Sequence, residues 1–294
     1  MKNKRLILVA SGYSAFAVFS LILSLYLTFD YDQLTPVIKN QVENLTRARV
    51  EIGSLSSYRV SGISIKNLKL QFKAPPSQEN TQPSSPSSLT LESMRIRIKI
   101  LPLIIGRRSL SFRALLAGGK IKGKFSQKKR SIRMQAHMEN LTLDRIPLAS
   151  MTDQNLRLGG KLKGHLNLNL PDTRNTSPWK GECDIALSSG KVYPFSYHGI
   201  EVPEIRFSAG QLLINLDQGK ADISPLKLES TDLPIDLKGT LDLRLPLTKS
   251  FVDITGTIKP GPKLQKEIPF ITTAFSPNKS FSYKGNIEAL LRTF

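Results

Sequence analysis

Chemistry on a polypeptide needs converging polar side chains, and the residue types to weigh first are three histidines, His137, His165 and His198, and one cysteine, Cys183. A metal site would set histidine, cysteine or carboxylate ligands at short, regular spacings. None of the three histidines has a cysteine or carboxylate at ligand spacing, and His165 takes a polar-face position in an alternating stretch, where an exposed imidazole is expected. Cys183 alternates with Ile185 and Leu187, which predicts a buried, inert thiol. Ser126-Gln-Lys-Lys129 fits the Ser-x-x-Lys spacing of an activated serine, yet it lies in a basic turn without the companion signatures. The Gly-Lys pairs lack the spacing of a phosphate-cradling loop. The expectation is a protein with no catalytic residue, no metal site and no cofactor, and therefore not an enzyme.

What the chain does carry is positive charge, +19 at pH 7. Such an excess draws a protein to anionic surfaces. Arg107-Arg108 and Lys128-Lys129-Arg130 are candidate contacts for anionic head groups, since each basic residue near such a surface adds about 1 kcal/mol. Arg95, Arg97, Lys99, Lys120, Lys122, Lys124, Lys161 and Lys163 stand opposite apolar positions, as on a solvated sheet face. No aromatic stacking platform accompanies the lysines, which speaks against nucleic acid. The single cysteine excludes an intramolecular disulfide.

The elements that position these residues begin with 6–29, a run without a charge. As a helix it reaches about 36 Å, enough to cross a bilayer core. Lys2, Lys4 and Arg5 precede it, while Asp30 and Asp32 follow. The positive-inside rule predicts a cytoplasmic tail over 1–5, a transmembrane helix over 6–29 and an exported domain over 30–294. A cleaved signal would have a shorter core and small residues where Tyr26, Leu27 and Phe29 stand.

Thr35-Pro36 is a helix start, and Ile38, Val42 and Leu45 form an apolar stripe, predicting a short amphipathic helix over 36–48. Its stripe would cap a sheet or meet lipid. From Val50 the period becomes two, with a slip at Lys66-Asn67 that reads as a β-bulge. Residues 74–88 are rich in proline and serine and read as a surface loop. Met94, Ile96, Ile98 and Ile100 share one strand face; 103–108 reads as a turn, and a further strand is expected near 110–116. Weak helical stretches cover 264–274 and the last residues.

An apolar-x-Gly-x-apolar pattern then recurs at Gly123, Gly164, Gly181, Gly239, Gly256 and Gly285. Leu162, Leu166, Leu168 and Leu170 align without a gap on Leu237, Leu241, Leu243 and Leu245, which predicts a duplicated hairpin. These eight leucines are the candidate apolar groove. The fold expected is mainly β: a long, curved antiparallel sheet with one apolar side and a short capping helix.

The order of these parts resembles a known group. An anchor, a short amphipathic helix, Val50-Glu-Ile-Gly-Ser-Leu-Ser56 and Val60-Ser-Gly-Ile-Ser-Ile-Lys-Asn-Leu-Lys-Leu70 resemble the start of AsmA-like proteins of Gram-negative envelopes. Gly160-Lys-Leu-Lys-Gly-His-Leu166 is similar to their later strands. Size, single anchor and Ile254-Thr-Gly-Thr-Ile-Lys-Pro-Gly-Pro262 look like the GspN family of type II secretion systems. The resemblance implies a single-pass inner-membrane protein, N-terminus cytoplasmic and bulk periplasmic, serving as a non-enzymatic accessory component beside other type II secretion subunits. The wider AsmA-like group implies an alternative, a lipid-binding or lipid-transfer module holding phospholipid or lipopolysaccharide acyl chains in an apolar β-groove.

Overall fold

The computed structural model describes Ser20 and residues 31–46, 48–59, 61–72, 88–147, 157–172, 174–197, 200–268 and 280–287. The expected membrane helix over 6–29, the loop over 74–88 apart from its last residue, His198 and the final residues lie outside these. Among the described residues no helix is long and apolar enough to cross a membrane.

A 3-10 turn at Tyr31–Leu34 leads into helix α1 (Thr35–Thr46), followed by strands β1 (Arg49–Tyr58), β2 (Gly62–Gln71) and β3 (Ser88–Ile98). A five-residue helix α2 (Ile100–Ile104) precedes β4 (Arg108–Leu116), β5 (Gly119–Lys128), β6 (Ser131–Thr142), β7 (Leu158–Leu170) and β8 (Lys180–Val192). Then come β9 (Phe195–Tyr197), β10 (Ile200–Val202), β11 (Ile205–Asp217), β12 (Lys220–Glu229), β13 (Ile235–Asp242), β14 (Phe251–Ile258), helix α3 (Pro262–Glu267) and β15 (Phe281–Asn286). Thirteen strands form one antiparallel sheet in which each pairs with the next in sequence; β9 and β10 make a separate small hairpin between β8 and β11. The protein is mainly β.

Short connections explain the order. Ala117-Gly118 and Gln218-Gly219 are two-residue turns with positive φ at both positions. That geometry matches the twist of the flanking strands, and glycine takes it without steric cost. Ile100, expected on a strand, instead opens α2, so the connection from β3 to β4 is helical where only a turn was expected.

Alternation sorts the side chains cleanly. Ile96, Phe112, Gly123, Ala136, Leu166, Cys183 and Ile214 stand directly opposite one another across seven strands, forming an apolar row. The slip at Lys66-Asn67 is a real break in alternation, but it is not a bulge of β2 against its neighbours, because the register with β1 and β3 keeps step through it. Asn67 has φ 53, and the apolar face passes from Ile52 to Leu55, from Leu68 to Ile65 and from Leu91 to Met94 on three neighbouring strands. The extra residue is absorbed only between β3 and β4, where Leu91 faces Leu116 but Ser93 faces Leu115.

Burial is local. Val50, Leu55, Ile65 and Leu68 are buried beneath α1, whose Ile38 and Val42 pack on them with Leu34. The helix stripe thus caps the sheet, and the alternative of a lipid-facing stripe is not what its contacts show. Glu43 ties the helix down by accepting the Val50 backbone N–H at 2.9 Å. At the other side, Leu264 and Ile268 of the α3 segment close over Ile205 and Phe207.

The duplicated hairpin needs correcting in register. Both hairpins exist, β7–β8 and β13–β14, but Gly164 faces Ile185 whereas Gly239 faces Ile254. Trp179, aligned in sequence with Ile254, precedes β8, whereas Ile254 lies within β14. Equal spacing of glycines does not fix pairing when the connecting segments differ.

Candidate functional site

Leu162, Leu166, Leu168 and Leu170 lie on β7 and are all half-buried; Leu237 and Leu241 on β13 and Leu243 just beyond it are the same. Leu245 is past the strand and 45% exposed, so it stands outside the sheet face. The structure brings part of the set together: Leu168, Leu170, Leu241 and Leu243 meet around Trp179, Leu216 and Ala221. The indole N–H of Trp179 donates to the Asp172 carbonyl at 2.7 Å, which fixes the ring under this cluster. Leu162 and Leu237 do not join it; they face Leu187 and Leu226 respectively.

Between the α1 end and the Trp179 cluster the described residues give the apolar face little cover. Ile121, Phe125, Met134 and Met138 on β5 and β6 are half-buried, as is Leu166 beside them. Phe112 folds over Gly123, so a Cβ at that glycine would overlap the ring. Here the glycine is a place for an aromatic side chain to lie flat against the backbone.

The opposite face is cationic. Arg95, Arg113 and Lys122 stand directly opposite one another on β3, β4 and β5, and the row continues through His137 and His165 to Asp184. Two adjoining hollows of about 420 and 500 Å³ share Lys99, Lys124 and Gln135, and among the described residues neither is lined by a carboxylate. Arg95 lies over the Tyr58 ring at 5.4 Å, a cation–π contact.

His137 and His165, remote in sequence, are cross-strand neighbours, which only the register reveals. Glu139 sits 3.3 Å from Lys122 and 3.2 Å from His137, and the hydrogen bond from Lys122 holds its carboxyl below the usual range. Among the described residues no group of three histidines, cysteines or carboxylates could hold a metal ion. Cys183 is half-buried, and burial, with help from the charge of Asp184, pushes its thiol up, away from reactivity.

Where β7 begins, Asp144 forms a clasp. It accepts from the Tyr193 hydroxyl and from the Gly160 N–H, the latter at 3.1 Å, with Lys191 at 3.6 Å. Burial alone would raise this carboxyl; the hydrogen bonds and the Lys191 charge outweigh it and leave it lowered. Gly160 has φ 118, a strained conformation for other residues, and the clasp stabilises that bend.

The five basic candidates come together. Arg108 pairs with Gln127 and Lys128 with Ser131, so Arg107, Arg108, Lys128, Lys129 and Arg130 occupy one end of the sheet. Arg107 Nε donates to Ser126 Oγ at 2.7 Å. Beside them the sequence reading missed an apolar tip, Ile98, Ile100, Leu103 and Ile105, all exposed. The signal was there: an aliphatic run bounded by Lys99 and Arg107-Arg108, longer than a turn needs.

No protein-family model matches this chain, and no curated protein or solved structure matches it.

Proposed function

We propose that this chain is a non-enzymatic envelope protein whose apolar sheet face shelters acyl chains of phospholipid or lipopolysaccharide, as in AsmA-like lipid-binding modules. One observation carries the reading: an interior stretch of the sheet, from Ile121 and Phe125 across Met134 to Leu166, keeps its apolar side chains half-exposed although both flanks are capped. A continuous apolar surface of this kind in water calls for an occupant. Bulges between Leu91 and Ser93, between Met138 and Leu141, and between Gly159 and Lys161 favour a curved sheet, hence a groove. In this reading 6–29 anchors the chain in the inner membrane, with the N-terminus cytoplasmic and the bulk periplasmic.

The resemblance to the GspN family supports a second role, as an accessory component of a type II secretion system working through contacts with other secretion subunits. Both readings share the anchor and the sheet; they differ in what touches the apolar face.

The test is native mass spectrometry with lipid extraction on the full chain purified in mild detergent. The lipid reading expects co-purifying phospholipid or lipopolysaccharide that is lost when Leu162 and Leu166 become aspartate in a protein with unchanged circular dichroism. A folded, lipid-free chain that instead retains secretion subunits sinks the lipid reading and leaves the second.

A further inference from the structure

The large apolar residues exposed among the described residues are unevenly placed. Ile98, Ile100, Leu103 and Ile105, at 47%, 49%, 43% and 71% exposure, fall within one connection between β3 and β4. Single exposed aliphatics are ordinary, but four within eight residues at one tip form a patch. Its backbone is held firmly. The N–H of Ile98 donates to the Ser61 carbonyl at 3.0 Å, that of Lys99 to Ser109 at 2.8 Å and that of Arg107 to Pro102 at 2.8 Å. A tip already ordered loses little conformational freedom when it binds.

The same end of the sheet is basic. Lys99, Arg107 and Arg108 flank the tip in sequence, and the β5–β6 turn with Lys129 and Arg130 lies two strands away, roughly 10 Å. From 88 to 135 the chain has thirteen lysines and arginines and a single acid, Glu92. Aliphatic side chains ringed by lysine and arginine match a bilayer interface: the tip enters the acyl boundary while the long basic side chains reach up to the phosphates. A second copy of this chain is the poorer fit, because docking tip to tip would oppose two collars of like charge.

We propose that the connection carrying α2 is a membrane-docking tip, seating Ile100, Leu103 and Ile105 in an anionic bilayer with Arg107, Arg108 and the 128–130 turn on its head groups. The tip lies at the strand ends, so it stands or falls separately from the acyl-chain reading of the sheet face. It also sets the orientation of the sheet, because the tip end must face a membrane.

The test uses the full chain with Cys183→Ala, reconstituted into phosphatidylcholine vesicles with or without phosphatidylglycerol. A polarity-sensitive fluorophore is placed by Leu103→Cys or, as a reference near the β4–β5 turn at the opposite end, by Leu115→Cys. The expected result is a blue shift at 103, quenched by spin-labelled acyl chains and strengthened by phosphatidylglycerol, with a water-like signal at 115. Combined Arg107→Gln, Arg108→Gln, Lys129→Gln and Arg130→Gln changes should abolish the dependence on phosphatidylglycerol; because these side chains are mostly exposed, circular dichroism should not change. A water-like signal at 103 overturns the proposal. So does a shielded label that spin-labelled lipid fails to quench, which would mean protein covers the tip, and so does insertion indifferent to lipid charge.

Discussion

β5 and β11 both lie inside the same sheet with an antiparallel partner on each side, yet they live in different surroundings. β11 buries Ile205, Phe207 and Leu216, beneath α3 at one end and beside Trp179 at the other. β5 buries no side chain; its one buried residue is Gly119. Their polar sides differ as well. At β11, Asp217 is 2.8 Å from Lys180 and Arg206 is 2.6 Å from Glu204. On β5, Lys122 lies 3.3 Å from Glu139 and Lys120 faces that same carboxylate across the strand pair, while Lys124 faces Gln135. One backbone pattern therefore supports a closed, charge-balanced region and an open, cationic one. What separates them is cover supplied from outside the strands, together with the placement of acids.

The sharpest way to break this contrast is to truncate one apolar side chain in each region. Leu264, 1% exposed over β11, should cost about 2–5 kcal/mol as Leu264→Ala. Ile121, half-buried on β5, should cost less than about half of that as Ile121→Ala, because much of its surface already meets solvent. Urea unfolding with equal m-values reads the difference directly. Equal losses would mean that the β5 face is covered in solution.

The next effect lies at the boundary between the regions. Asp144→Asn removes a charged acceptor from Tyr193, Gly160 and Lys191, and with the side chain 33% exposed the loss should be about 1–2 kcal/mol. The carboxyl is lowered in the folded protein, so its stabilisation is complete above the unfolded value near 3.8 and disappears as pH falls through the folded one. The stability gap between the two proteins should therefore be widest near neutrality and close on acidification. A gap that grew with acid would contradict the clasp.

Much of this contrast could be read from the sequence, but only one face at a time. Alternation along 161–170 assigned leucines and lysines to opposite sides of β7, and the slip at Lys66-Asn67 announced a break in alternation, where Asn67 has φ 53. Such patterns are local, because side chains alternate with period two whatever the neighbour strand does. Register is not local. It placed His137 beside His165, set Arg95, Arg113 and Lys122 in one ladder and shifted the two glycine hairpins relative to each other. Those outcomes depend on connection lengths and bulges, which composition leaves open. The α2 tip was hidden for a related reason: a five-residue helix offers too few turns to show a helical period.

The smallest effect tests the polar side. Arg113 stands between Arg95 and Lys122, and like charges directly opposite in a sheet destabilise it. Arg113→Gln should therefore stabilise the protein, by about 0.2–1 kcal/mol at low salt. Screening shortens from about 10 Å at 0.1 M salt to about 3 Å at 1 M, so the gain should fade as salt rises. Lys227→Gln is the counterpart in the balanced region, where Lys227 lies 3.6 Å from Glu229 and removal should bring no such gain. A stabilised Arg113→Gln beside an unimproved Lys227→Gln, converging in high salt, would show that the open region tolerates uncompensated charge in its free state. Loss of stability in Arg113→Gln would instead mean that an acid elsewhere in the chain already balances the ladder, and the cationic side of the contrast would have to be given up.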